Sequence, residues 1–374
     1  MKLFYAKKRT DPKCDMERWY TASQGQLIWW RFQKHKLAVV SMVVLAITYF
    51  VAFFSEFFVP YGVETRFAGY ENAPPSKIHI YAEGEGVQRP FIYKMKRQMN
   101  RKTFRLEYTE DTSQKCIIRF FAPGEATQLL TLIPLRRHVF TVDGAPFFLM
   151  GADRLGRDLY SRTILGARIS LLIGLGGVFL SFVLGCVLGG ISGFAGGTMD
   201  EIIQRLIDVL LSIPTIPLWM ALAAAIPRQW SVTQTYFAIV MVLAVVGWAG
   251  LARIVRGKIL SLREEDYVLA AKVFGSTNSH IIIRHMLPNF LSYLIVHITL
   301  SIPGTILGET ALSFLGLGMQ PPAVSWGVLL REAQDVGAIA HRPWQLIPGA
   351  FVVITVLMFN FMGDGLRDAA DPYR

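Results

Sequence analysis

The chain has 374 residues, of which 52% are apolar and 17% are charged, and its formal net charge is +11. A soluble chain of this length would carry about a quarter charged residues, so the composition excludes an ordinary soluble globular protein. The basic excess is typical of contact with anionic lipid headgroups. Since no soluble domain concentrates it on one surface, we expect no nucleic-acid partner.

Six apolar windows close to 20 residues long, the length of helix that crosses a bilayer, follow one another along the chain. They lie at 38–59, 168–192, 204–226, 236–252, 290–314 and 346–363. The first is too long for a signal-peptide core and is not followed by a small-residue cleavage site, so it is predicted to be a retained anchor. These windows predict an all-α integral membrane protein with six transmembrane helices and both chain ends on one side.

The distribution of Lys and Arg predicts which side of the membrane each connection occupies. Residues 1–36 hold nine basic and three acidic residues, and the loop at 253–288 holds six more basic residues. Both segments are therefore expected to be cytoplasmic, as is the tail at 367–374. Arginines close to the second span oppose this orientation, although neighbouring aspartates offset part of their charge. They are Arg154, Arg157, Arg162 and Arg168, with Asp153 and Asp158.

A long polar stretch at 60–167 separates the first anchor, 37–59, from a five-helix core at 168–366. Short β-prone runs within it are bounded by Pro-Gly and Asp-Gly turn signals. The runs are Thr103–Tyr108, Cys116–Phe121 and His138–Val142. They predict a small β-containing extracytoplasmic insert between helices 1 and 2, which either caps the bundle or contacts a delivery protein.

Signatures of enzymes and metal sites are missing from the sequence. The three cysteines show no metal-binding spacing, and there is no phosphate-binding loop, metalloprotease motif or nucleophile elbow. We therefore expect no catalytic residue, no metal and no cofactor bound by this chain. Any use of ATP and Mg²⁺ would take place on a partner polypeptide.

Small residues recur every four positions through the second predicted span, which allows another helix to approach closely. Such a face serves packing within the chain or a contact between subunits, and the pattern alone leaves both open. The residues are Gly177, Ser181, Gly185, Gly189, Gly193 and Gly197.

Three ionisable residues fall inside predicted spans, where such residues are costly and are by default functional candidates. They are Asp208, His297 and Glu309. Arg205 lies three residues before Asp208, the spacing of a pair on one helix face. The alternatives are structural pairing or hydrogen bonding on the one hand, and a stand-alone proton-coupled transporter using all three residues on the other.

The segment between the fourth and fifth spans predicts a short surface helix. Ser261 and Glu264 have the spacing of a capping box, and Gly275 is a suitable left-handed stop. One face of this helix carries small and aromatic residues, which permit either a plain surface helix or a docking helix with aromatic anchors. Those residues are Tyr267, Ala270, Ala271 and Phe274.

Leu269-Ala270-Ala271, three residues, Gly275 and then Leu287-Pro288 resemble the EAA loop of ATP-binding-cassette importer permeases. Leu269 stands where Glu is usual and His285 where Ile is usual. The resemblance implies a cytoplasmic coupling helix that is seated in a cleft of an ATPase subunit. The implied coupling residues are Glu264, Tyr267, Ala270, Ala271, Phe274, Gly275, Leu287 and Pro288.

Further stretches are similar to second-subunit permeases of the peptide/nickel branch of that family. They include Gly151 to Leu159, Ala311 to Gly318 and Gly363 to Asp368. The resemblance implies the type I importer permease fold in a bacterial inner membrane, with both termini cytoplasmic. The implied partners are a second homologous permease, two ATPase subunits and an extracytoplasmic solute-binding protein. The implied solutes are oligopeptides or dipeptides, with oligosaccharides, opines and nickel as alternatives.

Overall fold

The computed structural model describes residues 22–82, 86–99, 101, 106–129, 133–334 and 340–371. Its helices in chain order are α1 (Gln24–Lys34), α2 (Lys36–Phe53), α3 (Ser55–Phe58), α4 (Leu159–Ala195), α5 (Gly197–Ser212), α6 (Thr215–Ala224), α7 (Val232–Leu262), α8 (Asp266–Val273), α9 (Asn278–His280), α10 (Leu291–Phe314), α11 (Trp326–Glu332) and α12 (Ile347–Ala370). A π-helical turn at Ile281–Met286 and a 3-10 turn at Leu287–Phe290 connect α9 to α10. A second 3-10 turn, Pro343–Leu346, leads into α12.

In the described part of the chain, five helical runs are long and apolar enough to cross a membrane, which confirms the helical membrane fold. The predicted third span at 204–226 is not one straight helix, because α5 and α6 meet at a bend of 95°. The break lies at Ile213 and Pro214. Proline disfavours helical backbone in the residue before it, and Ile213 is extended. If the bent pair counts as one span, the six predicted crossings are present.

Helices α4 and α7 form the most intimate contact of the bundle, because glycines on α4 bring the two backbones together. A Cβ atom on Gly189 would stand 2.5 Å from the carbonyl oxygen of Ala252, and one on Gly193 would stand 2.8 Å from that of Arg256. The small-residue stripe of the second span therefore packs within this chain over these positions.

The remaining long helices close the bundle around a common apolar core. Leu45 of α2, Leu171 of α4, Ile306 of α10 and Phe359 of α12 belong to one buried cluster. The amphipathic helix α1 lies against the end of α12, where the guanidinium Nη1 of Arg31 donates to a backbone carbonyl 2.7 Å away. That carbonyl belongs to residue 371, so both ends of the described chain lie at the same end of the bundle.

The insert contains a four-stranded antiparallel sheet in the order β1-β2-β3-β4. Its strands are β1 (His79–Ala82), β2 (Gly86–Met99), β3 (Leu106–Leu129) and β4 (Ile133–Val142). The predicted runs Cys116–Phe121 and His138–Val142 lie in β3 and β4. The third run, Thr103–Tyr108, begins outside the described residues. The buried His138 ring attaches the sheet to α3, because its Nδ1 lies 3.0 Å from the carbonyl oxygen of Glu56.

Buried ion pairs hold together the end of the bundle that carries the sheet, which we call the insert end. Arg162 contacts Asp153 and Glu332, each at 2.6 Å, and Arg157 contacts the same two carboxylates at 2.7 and 3.1 Å. Arg168 forms a two-pronged pair with Glu56. Three of the four arginines that opposed the predicted orientation are therefore matched by carboxylates.

Candidate functional site

At the opposite end of the bundle, which we call the loop end, α8 stands as a separate short helix. The predicted capping box is wrong. Ser261 lies in the last turns of α7, where its hydroxyl donates to the carbonyl of Lys258 at 2.8 Å. Glu265 is the N-cap residue and makes no side-chain cap hydrogen bond. The buried Ile259 of α7 packs in the same cluster as Val268 of α8. Helix α7 continues through Leu262, so Ser261 lies inside α7 and cannot cap α8.

The predicted stop of α8 at Gly275 is confirmed. Its φ angle is +77°, a backbone conformation that glycine adopts without steric penalty. The amide of Gly275 donates to the carbonyl of Lys272 at 3.0 Å, and the amide of Ser276 donates to that of Ala271 at 3.1 Å. This pair of bonds is the Schellman motif, which satisfies the carbonyls at a helix end.

Helix α8 buries one apolar side chain and exposes others. Val268 is fully buried among residues of α7 and the turns before α10. Phe274 and Val273 are 87% and 86% exposed, and Ala270 and Tyr267 are also exposed. Large apolar side chains left outside a packed structure mark a contact surface. Sequence reasoning missed Val268, although an apolar residue beside the exposed face was the available signal.

A hydrogen bond ties α8 to the start of α10. The side-chain amide of Asn289 donates to the hydroxyl of Tyr267 at 3.1 Å. Asn289 follows Pro288 in the 3-10 turn that opens α10, and the half-buried Leu287 packs against the cluster around Val268. The structure thus brings Tyr267 and the Leu287-Pro288 pair together. Glu264 stays outside α8 and faces Arg263, with an Nη2–Oε1 distance of 3.3 Å.

The three intramembrane ionisable residues do not form one site. Asp208 pairs with Arg253 of α7, and Arg205 pairs instead with Glu201 at 3.6 Å, so the predicted Arg205–Asp208 pair is wrong. A second pair between Asp200 and Arg256, at 2.5 Å, also joins α5 to α7 at the loop end. Asp208 thus pairs with a neighbouring helix, whereas Arg205 pairs with a different carboxylate on its own helix.

Glu309 is fully buried and accepts hydrogen bonds from serine hydroxyls rather than from a cation. Ser170 of α4 donates to it at 3.0 Å and Ser313 at 2.8 Å. Ser170 in turn accepts the amide of Trp326 at 3.1 Å. Glu309 therefore joins α4, α10 and α11, whereas His297 lies on a different part of α10. In the described residues, no group of three His, Cys, Asp or Glu side chains is placed to bind a metal ion.

Two family models match the chain. Residues 185–373 match "Binding-protein-dependent transport system inner membrane component", and residues 23–75 match "N-terminal TM domain of oligopeptide transport permease C". The first match includes α8 and the loop around it, and the second includes the first anchor helix.

Named relatives are similar over most of their length. The chain is 40% identical over 223 residues to the oligopeptide transport system permease protein OppC of Bacillus subtilis, covering 59% of this chain and 70% of that protein. It is 34% identical over 348 residues to the dipeptide transport system permease protein DppC of Lactococcus lactis, covering 92% and 89%. A solved structure of the MetNI methionine ABC transporter aligns with 19% identity and a TM-score of 0.43, over 56% of this chain and 96% of that one.

Proposed function

The chain belongs to the family of binding-protein-dependent transport system inner membrane components, and from this premise we propose that α8 couples it to a cytoplasmic ATPase. The protein is a multi-pass membrane permease of the peptide-transport type by its family and relatives. The observation that carries the proposal is the exposed apolar surface of α8 on a helix that is held to α10 by Asn289.

The coupling works through the contacts between α8 and the membrane helices. Val268 anchors one face of α8, and the other face presents Phe274 and Ala270 to a partner. When the ATPase subunits close on ATP, α8 moves with the cleft that holds it. The Tyr267–Asn289 hydrogen bond transmits this displacement to the start of α10. Coupling of this kind switches the membrane cavity from one side to the other.

The assembly that this proposal requires has five subunits. A second homologous permease completes the path, two ATPase subunits hydrolyse ATP with Mg²⁺, and an extracytoplasmic binding protein delivers the solute. This chain itself binds no cofactor. The loop end and both termini lie in the cytoplasm, and the insert end lies outside. The Lys and Arg excess at the loop end supports this orientation, as does the internal pairing of Arg157, Arg162 and Arg168 at the insert end.

The proposed solute is an oligopeptide or a dipeptide. The names of the relatives from Bacillus and Lactococcus support it, since both are peptide permeases. Nickel is less well supported, because neither of these relatives is named as a nickel permease. Oligosaccharides and opines remain alternatives within the family.

A stand-alone proton-coupled transporter is the competing function, and the arrangement of the charged groups argues against it. A proton relay needs neighbouring titratable groups. Asp208 pairs with Arg253 at the loop end, while Glu309 is separated from His297 by 12 residues of α10, or about 18 Å at the helical rise. Such a transporter would also leave the exposed face of α8 without a role.

Co-purification tests the coupling proposal most directly. We would express the tagged chain with its partner subunits and compare Phe274→Glu with Ser279→Glu, both at exposed positions of the loop end. Phe274→Glu should lose the ATPase subunits and ATP-driven uptake while the protein stays in the membrane. Ser279→Glu should keep both. Retention of the ATPase and of uptake by Phe274→Glu would refute the assignment, as would uptake that depends on a proton gradient alone.

A further inference from the structure

A groove runs along one face of α10, from the loop end into the middle of the bundle. Its wide part has a volume of about 730 Å³ and lies between α10 and the end of α12, with Asn289 and Arg367 in its lining. A narrower crevice of about 200 Å³ continues between α4, α6, α7 and α10. His297 and Ser301 line both cavities, so they lie where the groove enters the crevice.

The crevice is mainly apolar and uncharged, and a few polar side chains interrupt its wall. Its polar lining residues are Ser181, His297, Ser301 and Thr305, while Val178 and Phe182 contribute to its apolar walls, and its lining contains no Asp, Glu, Lys or Arg. In the described part of the chain, no hydrogen bond engages the ring nitrogens of His297, whose ring stacks on Tyr293 with centroids 6.3 Å apart. An imidazole can donate and accept at once, which makes it able to bind an amide group.

One face of α10 is too polar for favourable contact with lipid chains. Tyr293, His297 and Ser301 follow one another at helical spacing, and Gly304 continues the same face. Polar side chains turned to hydrocarbon are costly, so they face a cavity or another protein in membrane helices. Elsewhere on α10, Leu291, Ile295 and Leu307 present an ordinary lipid-compatible surface. The polar face is therefore expected to line a cavity or contact another protein, and the groove and the crevice both lie along it.

Trp219 of the short helix α6 closes the crevice toward the insert end. Its ring lies over Gly308 of α10, where an added Cβ would stand 2.8 Å from Cζ3 of the indole. The indole Nε1 is buried and has no acceptor in the described part of the chain. Buried donors are normally satisfied, so an unpaired one in a cavity wall is a position at which a ligand oxygen would be favoured.

We propose that the crevice at His297 and Ser301, closed by Trp219, is a solute subsite for the uncharged amide backbone of a peptide. This inference rests on the proposed importer function and specifies where the solute is held. A peptide bond offers one carbonyl and one N–H, which suit an imidazole and a free indole donor, and the apolar walls accept small side chains. A divalent cation would find one imidazole and no carboxylate in the lining.

The decisive experiment measures transport per ATP hydrolysed by the complete importer in vesicles, with its binding protein and radiolabelled trialanine. Trialanine is suitable because its side chains are apolar and its backbone supplies the amides. His297→Leu should lower trialanine moved per ATP by about tenfold, the effect of one lost hydrogen bond to a ligand. His297→Gln keeps a donor and an acceptor and should stay within about twofold of the unchanged protein.

Trp219→Phe tests the second contact, since it removes the indole N–H and keeps an aromatic ring over Gly308. It should also lower trialanine moved per ATP, whereas Trp230→Phe in the exposed outer loop should not. The variants are compared at equal amounts of assembled complex. If His297→Leu and Trp219→Phe both leave transport per ATP unchanged, the subsite is refuted.

The transport results distinguish failure of the proposed subsite from failure of the importer function on which it rests. If the unchanged complex shows no ATP-driven uptake of any solute, the importer itself is refuted. If it takes up an oligosaccharide or Ni²⁺ but not trialanine, the amide assignment alone is refuted. If it takes up trialanine and only the crevice variants fail, the subsite is supported.

Thiol protection gives an independent measurement that does not depend on turnover. In a chain with Cys14, Cys116 and Cys186 replaced, Ser301→Cys would be alkylated by a maleimide from the loop end. Trialanine should slow this alkylation severalfold. Ser261→Cys, exposed at the end of α7, is the matched control and should react at the same rate with and without peptide. Equal rates at position 301 with and without peptide would refute the subsite.

Discussion

The two ends of the bundle are held together by different chemistry. At the insert end, Arg157 and Arg162 are buried with Asp153 and Glu332 in a closed network of charges. At the loop end, the contacts that attach α8 include one fully buried side chain, Val268, a hydrogen bond from Asn289 and the ammonium of Lys272 over the ring of Phe194. One end is fixed by contacts that are costly to break, whereas the other is fixed by contacts that a partner protein can replace.

One bundle can therefore combine a fixed part with a part that moves. Ion pairs with little solvent resist rearrangement, because separating them leaves uncompensated buried charges. A short helix with a small apolar anchor reorients at much lower cost. The insert end therefore defines a fixed reference, and motion is concentrated near α8 and the start of α10.

Breaking the insert-end network should produce the largest effect. Glu332→Leu leaves the guanidinium groups of Arg157 and Arg162 with one carboxylate between them, and the expected loss is about 3–5 kcal/mol in the free energy of unfolding. Thermal unfolding of purified protein in detergent measures it. Arg119→Leu breaks an exposed pair with Asp143 in the insert and should cost less than about 1 kcal/mol. Equal losses in the two variants would contradict the comparison.

Val268 and Val273 test the loop-end anchor, because they lie on the same helix with opposite exposure. Val268→Ala should cost about 2 kcal/mol in the docking of α8 through lost burial and a residual cavity. Val273→Ala should leave docking unchanged and weaken ATPase binding. Hydrogen exchange of the α8 amides measures docking, and co-purification measures binding. Faster exchange in both variants would show that the helix is anchored more broadly.

Gly275→Ala isolates the cost of the helix stop. An added Cβ meets no neighbouring atom, so the penalty comes from the positive φ angle alone and should be about 1–2 kcal/mol. Gly257→Ala in α7 also meets no atom but lies in ordinary helix, and it should stabilise the protein by about 0.5–1 kcal/mol. The sign of the difference in melting temperature between the two variants checks the prediction.

Tyr267→Phe should have a smaller thermodynamic effect, about 0.5–1.5 kcal/mol for one exposed hydrogen bond. Its functional signature is more specific, because ATP hydrolysis should continue while solute moved per ATP decreases. Uptake and hydrolysis measured in the same vesicles give this ratio. A proportional fall of both rates would place Tyr267 in ATPase binding instead of transmission to α10.

The pH dependence of stability refines the description of the insert end. Burial alone would raise the pKa of Glu332, but the guanidinium groups of Arg162 and Arg157 more than offset it and hold the pKa below its usual 4.5. The stabilisation is therefore complete above that value and is lost as the pH falls below it. Melting temperatures should decrease more steeply in acid for the unchanged protein than for Glu332→Gln. Parallel curves would show that Glu332 does not titrate with unfolding.

The sequence predicted the parts of the fold that depend on local pattern. Apolar length located the membrane helices, and a glycine after a short helix-prone run located the stop at Gly275. Positions decided by contacts between helices were missed. Arg253 competes with Arg205 for Asp208, and the packing of Ile259 carries α7 past Ser261. Neither partner is visible from spacing along one helix.

The candidate site divides in the same way. Its exposed residues, including Phe274 and Ala270, followed from resemblance and spacing, because a contact surface is encoded in the residues that form it. Its anchor at Val268 and the bond from Asn289 to Tyr267 depend on how α8 folds back against α10. The groove beside His297 depends on four helices at once, and no local pattern describes it.

The pair between Arg168 and Glu56 has a consequence for how the insert varies in length. These residues flank the insert, and the two distances between the guanidinium nitrogens of Arg168 and the carboxylate oxygens of Glu56 are 2.6 and 2.5 Å. The segment between them is thus a loop whose two ends are already joined at the bundle. Closure entropy depends only weakly on loop length, changing by about 0.6 kcal/mol for each doubling. The sheet can therefore be trimmed, lengthened or exchanged during evolution at little thermodynamic cost to the helices that carry it.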